Sequence, residues 1–209
     1  MEIILNLAPQ KKLLRKALKE KRNALDRDTC LTSDTVIFNN ICTWDIYQNA
    51  NVIFCFVSTK DEINTRPVLE DIIKKKKRVY VPKCTGEGLM EVCEIHSFND
   101  LIPGKYGILE PVDTCKKISP RQIDLSLIPC LSCSRDGRRL GYGGGYYDRY
   151  LKQAAGIRAV LCRTALMCNE IPVEEHDLPM DFVICEEGII NTKNYHKMKM
   201  PSHILETTV

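Results

Sequence analysis

Apolar positions recur along this chain in two registers. Between residues 10 and 26, Leu13, Leu14, Ala17, Leu18 and Leu25 fall at roughly helical spacing, which predicts an amphipathic helix with Pro9 in its first turn. The remaining positions are basic: Lys11, Lys12, Arg15, Lys16, Lys19, Lys21 and Arg22. Most of these are expected on a solvated face, with Lys11, Lys12 and Arg15 clustered on the first turns as candidates for an anion. A second helix is expected to start at Thr32-Ser33-Asp34, all N-capping types, and to run through Val36, Ile37 and Ile41. The pattern then shortens: Asn51 to Val57 is a continuous apolar run that reads as a buried strand, and Val79 to Pro82, Leu89 to Ile95, Ile123 to Cys130, Ile157 to Cys162 and Phe182 to Cys185 also read as strands. A third helix is expected after Thr65, its cap, with Arg66-Pro67 in the first turn and Lys74 to Arg78 at its end. Cations there suit a helix C-terminus better than a targeting signal. Gly86-Glu87-Gly88 reads as a turn, and a helix is expected to begin at Tyr146.

Strands alternating with helices predict an α/β fold, a mainly parallel sheet with helices on both faces. A single domain over residues 1–188 is expected, followed by a mobile or loosely docked tail over 189–209. The 209 residues are 44% hydrophobic and 27% charged with a net charge of +3, an ordinary globular balance that gives no reason to expect nucleic acid as a partner. No apolar run reaches membrane-spanning length, and Met1 to Leu7 is too short for a signal-peptide core, so a cytoplasmic protein without membrane contact is expected. The 11 cysteines are odd in number and scattered, unlike a disulfide framework. Cys55, Cys93, Cys162 and Cys185 sit in apolar runs as small hydrophobes. Cys130-Leu131-Ser132-Cys133 is the one C-x-x-C. Without a second ligand pair it reads as a reduced pair near a strand end.

The chemistry concentrates at Leu140-Gly141-Tyr142-Gly143-Gly144-Gly145-Tyr146-Tyr147-Asp148-Arg149. Four of the chain's 11 glycines lie there, just before a helix start, where backbone N–H groups can meet an anion. A Rossmann fingerprint begun at Gly141 fails at Tyr146, and a Walker A loop fails because Gly145 is followed by two tyrosines. Arg135, Arg138 and Arg139 lie just upstream and Asp148 just downstream, a combination that suits a polyphosphate with a metal. Asp61 and Glu62 follow the first strand, where ligands of open α/β sheets bind.

The block Asp136-Gly137-Arg138-Arg139-Leu140-Gly141-Tyr142-Gly143-Gly144-Gly145-Tyr146-Tyr147-Asp148-Arg149 resembles the 5-formyltetrahydrofolate cyclo-ligase family, as do Lys11 to Arg15, Asp61-Glu62-Ile63, Tyr106 to Pro111 and His176-Asp177. The likeness spans roughly Lys11 to Glu186. It implies an enzyme that uses ATP and Mg²⁺ to convert 5-formyltetrahydrofolate to 5,10-methenyltetrahydrofolate. It also implies a three-layer α/β sandwich similar to the sugar-phosphate isomerase and CoA-transferase group. By the same resemblance ATP falls to Lys11, Lys12, Arg15 and the loop Arg139, Leu140, Gly141, Tyr142, Gly143, Gly144, Gly145, Tyr146 and Tyr147. Folate falls to Val57, Glu62 and Tyr142 to Tyr146, the metal to Asp148 and Asp177, and catalysis to Arg139 and Tyr147. A monomer is expected. Tyr142 and Gly144 stand where some relatives carry a basic residue, which shifts that work to Arg139 or Arg149. Cys130 and Cys133 stand where small apolar residues are common, which raises the question of sensitivity to oxidation. The alternative is a non-catalytic folate- or nucleotide-binding relative, which would bind without turnover.

Overall fold

The computed structural model describes residues 7–104, 107–174 and 177–199. In chain order its helices are α1 (Ala8–Asn23), α2 (Arg27–Thr43), α3 (Asp45–Asn49), α4 (Arg66–Lys74), α5 (Tyr146–Leu151) and α6 (Thr192–Lys199). The strands are β1 (Val52–Cys55), β2 (Arg78–Gly86), β3 (Leu89–Ile95), β4 (Leu101–Pro103), β5 (Leu109–Pro111), β6 (Lys117–Ile118), β7 (Leu125–Ile128), β8 (Ser132–Cys133), β9 (Arg139–Leu140), β10 (Ile157–Leu161), β11 (Phe182–Cys185) and β12 (Gly188–Asn191). Eight strands form one sheet in the order β12-β11-β10-β7-β1-β2-β3-β6. Its centre, β11 to β2, is parallel throughout. The edges are antiparallel, β12 on one side and β3 with β6 on the other. This is the mostly parallel α/β architecture expected from the alternation of strands and helices.

The strands are apolar on both faces, so successive residues enter different cores. Ile53, Cys55, Val79, Val81, Leu125, Leu127, Ala159 and Leu161 pack with Ile37 and Ile41 of α2, Tyr47 of α3 and Val68, Leu69 and Ile72 of α4. Phe54, Tyr80, Ile128, Val160 and Val183 face the other way, toward Tyr150 and Leu151 of α5, Leu166 and Met180. A third, smaller core joins Leu18 of α1 to Leu131, Leu140 and Ile171, and so seats α1 on the β8–β9 ladder.

Three expectations change. α2 begins at Arg27, not near Thr32, because Asp26 caps it by accepting Thr29 N–H at 2.8 Å. Thr65 stands at the N-cap of α4 but does not cap it. Its hydroxyl donates to the Phe56 carbonyl at 2.7 Å and accepts from Ser58 N–H at 3.1 Å, closing the loop after β1. Residues 189–199, expected as the start of a tail, form the rest of β12, which begins at Gly188, and α6. Four paired positions tie β12 to β11, and the buried Thr192 donates to the Met180 carbonyl at 2.8 Å. The remainder of that stretch, with Tyr106 and His176, lies outside the described residues.

Candidate active site

Parallel strands deliver their following residues to one edge of the sheet. After β1 come Phe56 and the loop carrying Glu62, after β7 come Pro129 and Cys130, and after β10 come Cys162 and Arg163. All of these line one narrow cavity, together with Arg22 of α1 and Tyr142 of the glycine loop. A wider cleft adjoins it and shares Arg22, Asp61, Glu62 and Arg163. Glu62 therefore stands between the two spaces. Its carboxylate accepts from Thr59 N–H at 2.9 Å and from the Thr59 hydroxyl at 3.1 Å, which fixes its direction.

The glycine loop is shaped by its backbone. Gly143 has φ +101° and Gly145 has φ +70°, left-handed values that L side chains rarely adopt. Gly145 is the N-cap of α5 and contributes no capping side chain. Leu140, at the loop's entrance, is buried in the small core under α1. At the exit, Arg149 donates to the Gly88 carbonyl at 3.0 Å, pinning α5 to the β2–β3 turn. Arg149 is thus committed to the scaffold. Tyr146 turns away from the narrow cavity and lines a groove with Arg149 and Leu89.

The inward stripe of α1 differs from the apolar one expected. Leu13 is exposed and Ala17 faces solvent, whereas Lys11 is buried and Arg15 and Arg22 are half-buried. Lys11, Arg15, Leu18 and Arg22 follow the i, i+4, i+7, i+11 spacing of one helix face. Lys11 Nζ donates to Asp177 Oδ2 at 2.6 Å and to Glu174 Oε2 at 2.7 Å. Burial opposes its charge, but those two carboxylates raise its pKa above the usual lysine value. Arg15 Nε donates to the Gly141 carbonyl at 2.9 Å. Arg22 lies 5.9 Å from the Tyr142 ring centroid and 3.5 Å from Asp61 Oδ2. Lys12 is exposed on the outer side.

Arg139 Nη2 pairs with Asp148 Oδ1 and its Nη1 donates to the Pro129 carbonyl at 3.3 Å. The guanidinium lies over the Tyr147 ring, 5.8 Å from its centroid, and that ring packs edge-on to Phe54. Burial, then the Glu62 charge, pushes the Tyr147 phenol well above its ordinary pKa, and the same two causes raise that of Tyr142. Both tyrosines therefore stay protonated and can act as hydrogen-bond donors. Val57 is buried in the main core, and it is its neighbour Phe56 that lines the cavity.

Three residues outside the expected set belong to the site. Arg22 and Arg163 both wall the two spaces, and in each the buried Nε has no hydrogen-bond partner. Buried unpaired guanidinium nitrogens are costly and point to a ligand. Glu174 is the third, through Lys11. The stripe spacing offered a sequence signal for Arg22. Arg163 follows a strand with nothing local to mark it.

An open sheet with a cationic glycine loop and two adjoining cavities at the carboxyl ends of its parallel strands defines an α/β protein built to bring an anion and a second ligand together. The chain belongs to the 5-formyltetrahydrofolate cyclo-ligase family, whose model matches residues 8–186. It is 30% identical over 196 residues to the 5-formyltetrahydrofolate cyclo-ligase of Mus musculus, covering 85% of this chain and 94% of that one. It is 27% identical to the Saccharomyces cerevisiae cyclo-ligase, covering 87% and 97%. The solved structure of Aquifex aeolicus 5,10-methenyltetrahydrofolate synthetase superposes with a TM-score of 0.80 at 25% identity, covering 88% of this chain and 93% of that one. The family is one of ATP-dependent ligases acting on folate.

Proposed function

We propose that this chain converts 5-formyltetrahydrofolate to 5,10-methenyltetrahydrofolate, with hydrolysis of ATP to ADP and phosphate. The observation that carries this reading is the double role of the glycine loop. Tyr142 shares the narrow cavity with Glu62, while Arg15 and the Arg139–Asp148 pair hold the same loop from α1 and β9. A folate in the cavity and a triphosphate on the loop would then be neighbours.

A formamide oxygen is a poor leaving group. Transfer of the γ-phosphoryl to that oxygen leaves the carbon electrophilic. The folate N10 attacks it, the ring closes with loss of the N10 proton, and phosphate departs with the original formyl oxygen. Such transfer needs positioning and neutralisation of charge rather than a protein nucleophile. Lys11, Arg15 and Arg139 supply cationic donors, and the glycine loop supplies backbone N–H groups. Glu62 orients the pterin, with the protonated Tyr142 as a donor beside it, while Tyr147 stacks under Arg139. Arg27, Lys60 and the unpaired Nε of Arg163 suit the anionic tail of folate in the wider cleft.

Asp148 and Asp177 are hard oxygen donors of the kind Mg²⁺ prefers, and both side chains are partly exposed, 34% and 16%. Each carboxylate is neutralised by a cation, Asp148 by Arg139 and Asp177 by Lys11. With a triphosphate drawing on Arg139 and Lys11, Asp148 and Asp177 would be the residues to hold Mg²⁺. The ion would neutralise phosphate charge during transfer. Among the described residues no helix is long and apolar enough to cross a membrane. The chain is proposed to act as a cytoplasmic monomer.

The test is formation of the methenyl chromophore from 5-formyltetrahydrofolate with and without ATP and Mg²⁺. Chromophore that appears only with both, matched by ADP, supports the reading. Tight folate binding with neither chromophore nor ADP would make the chain a non-catalytic binder and overturn it.

A further inference from the structure

A group of side chains at the strand ends takes no part in the reaction above. Cys130 follows β7, Cys133 ends β8 and Cys162 follows β10. Their sulfurs all lie within 4.8 Å of one another. Cys133 is fully buried, Cys162 is nearly so and Cys130 is half-buried, and both Cys130 and Cys162 line the narrow cavity. Among the described residues this is the group of three or more metal-capable side chains whose donor atoms converge in this way. The C-x-x-C lacked a partner in the sequence because its third thiol arrives 29 residues later on a neighbouring parallel strand.

We propose that Cys130, Cys133 and Cys162 form a binding site for a thiophilic divalent cation of the zinc class, with a fourth coordination position open to the narrow cavity. Three thiolates bound to one zinc at ~2.3 Å stand about 3.8 Å apart, so the observed spacing needs only small side-chain rotations. Three protein ligands with one open position is the pattern of zinc sites that admit a water or small ligand, whereas closed structural sites supply four. Charge agrees as well: three thiolates and a divalent cation leave one negative charge, and Arg139 Nη1 donates to the carbonyl of Pro129, next to Cys130. In its neutral form Cys130 donates to the Leu161 carbonyl at 3.3 Å. Metal uptake displaces the thiol protons into solvent. The cation would sit in the wall of the space assigned above to folate, a placement that rests on the proposed function. Zinc is then expected to inhibit the ligase in competition with folate.

Binding is measured without reference to activity. Fully reduced protein is loaded anaerobically with Zn²⁺, freed of loose metal and analysed for metal content, and a parallel sample is titrated with Cd²⁺. The expected result is one tightly held zinc per chain, proton release on loading, and a cadmium–thiolate absorption band saturating at one equivalent. Cys133→Ser and Cys162→Ser should each abolish the retained zinc, while Cys42→Ser, outside the cluster, should keep it. In the unmodified protein zinc should protect Cys130, Cys133 and Cys162 from alkylation, mapped by mass spectrometry, which needs no variant to fold. No retained zinc, or protection mapping to other cysteines, overturns the proposal. Zinc bound at the cluster without inhibition leaves the site in place and overturns its position in the folate wall.

Discussion

Charge at single residues is where the two halves of the proposed reaction should separate. Glu62 is fixed by Thr59 at the boundary of two cavities, and Asp148 is held by Arg139 beside the glycine loop. Glu62→Gln keeps the shape but removes the charge proposed to receive a folate donor. A hydrogen bond to a charged group contributes about 1.5–3 kcal/mol, so KM for folate should rise roughly tenfold or more with KM for ATP little changed. Asp148→Asn should instead lower kcat about 10–100-fold and raise the Mg²⁺ requirement, leaving folate affinity near normal. Steady-state kinetics with each substrate varied in turn gives the split; equal, mild effects from both substitutions would displace the site. Gly145 answers a different question. At φ +70° an alanine would carry the left-handed penalty, about 1–2 kcal/mol, and would shift the start of α5. Gly145→Ala should lower Tm by a few degrees and impair ATP use more than its effect on stability explains.

Among the elements, those with a strong local period were readable and those made by distant partners were not. The strands β1, β2, β3, β7, β10 and β11 stand where β-rich apolar segments predicted them, and in β1, β7 and β11 the pattern is nearly continuous because these strands are buried on both faces. The sequence order also exposed the glycine loop. α1 was placed well but its face was misread, since a helix docked on carboxylates and carbonyls carries cations inward. The ladders β4–β5 and β8–β9, at two or three residues per strand, are too short for any period to show. β12 was hidden because Gly188–Asn191 takes its place from β11 rather than from its own composition. The β10–β11 junction gives a pH prediction. Asp181 Oδ2 accepts from Arg158 N–H and Nε at 3.0 Å each, and Oδ1 accepts from Nη2 at 3.2 Å. Burial opposes its charge, but these bonds hold the Asp181 pKa below the ordinary aspartate value of 3.8. The unfolded chain therefore binds this proton first, and the stability from Asp181 is present above 3.8 and lost as pH falls through the lower folded value. Asp181→Asn should cost about 2 kcal/mol at neutral pH, roughly 4–8 °C in Tm, and the deficit should close below pH ~4. Melting curves from pH 3 to 7 decide this; a deficit independent of pH would mean that the charge contributes nothing.

At the scale of the whole molecule, the site is an assembly of chain segments far apart in sequence. Lys11 meets Asp177 across 166 positions and Arg15 meets Gly141 across 126. Such contacts leave no trace in local pattern, which is why Arg163 and Glu174 escaped notice while the glycine loop did not. The same assembly predicts coupling between the substrates. The loop takes α1 on one side through Arg15 and Arg22, and contributes Tyr142 to the cavity on the other. A triphosphate that fixes the loop also fixes Tyr142, so a folate arriving second orders less of the protein and binds more tightly. Linkage requires the converse by the same factor, which for typical coupling is about 5–150-fold. Calorimetric titration with a non-hydrolysable ATP analogue and 5-formyltetrahydrofolate, each alone and each with the other saturating, measures both legs of the cycle. Arg22→Met removes the guanidinium stacked near Tyr142 and partnered with Asp61. It should reduce the coupling several-fold while leaving ATP affinity in the absence of folate close to that of the unmodified chain. Equal affinities with and without the second ligand would show that the glycine loop serves one substrate only, and the shared wall at Tyr142 would have no role in bringing the two together.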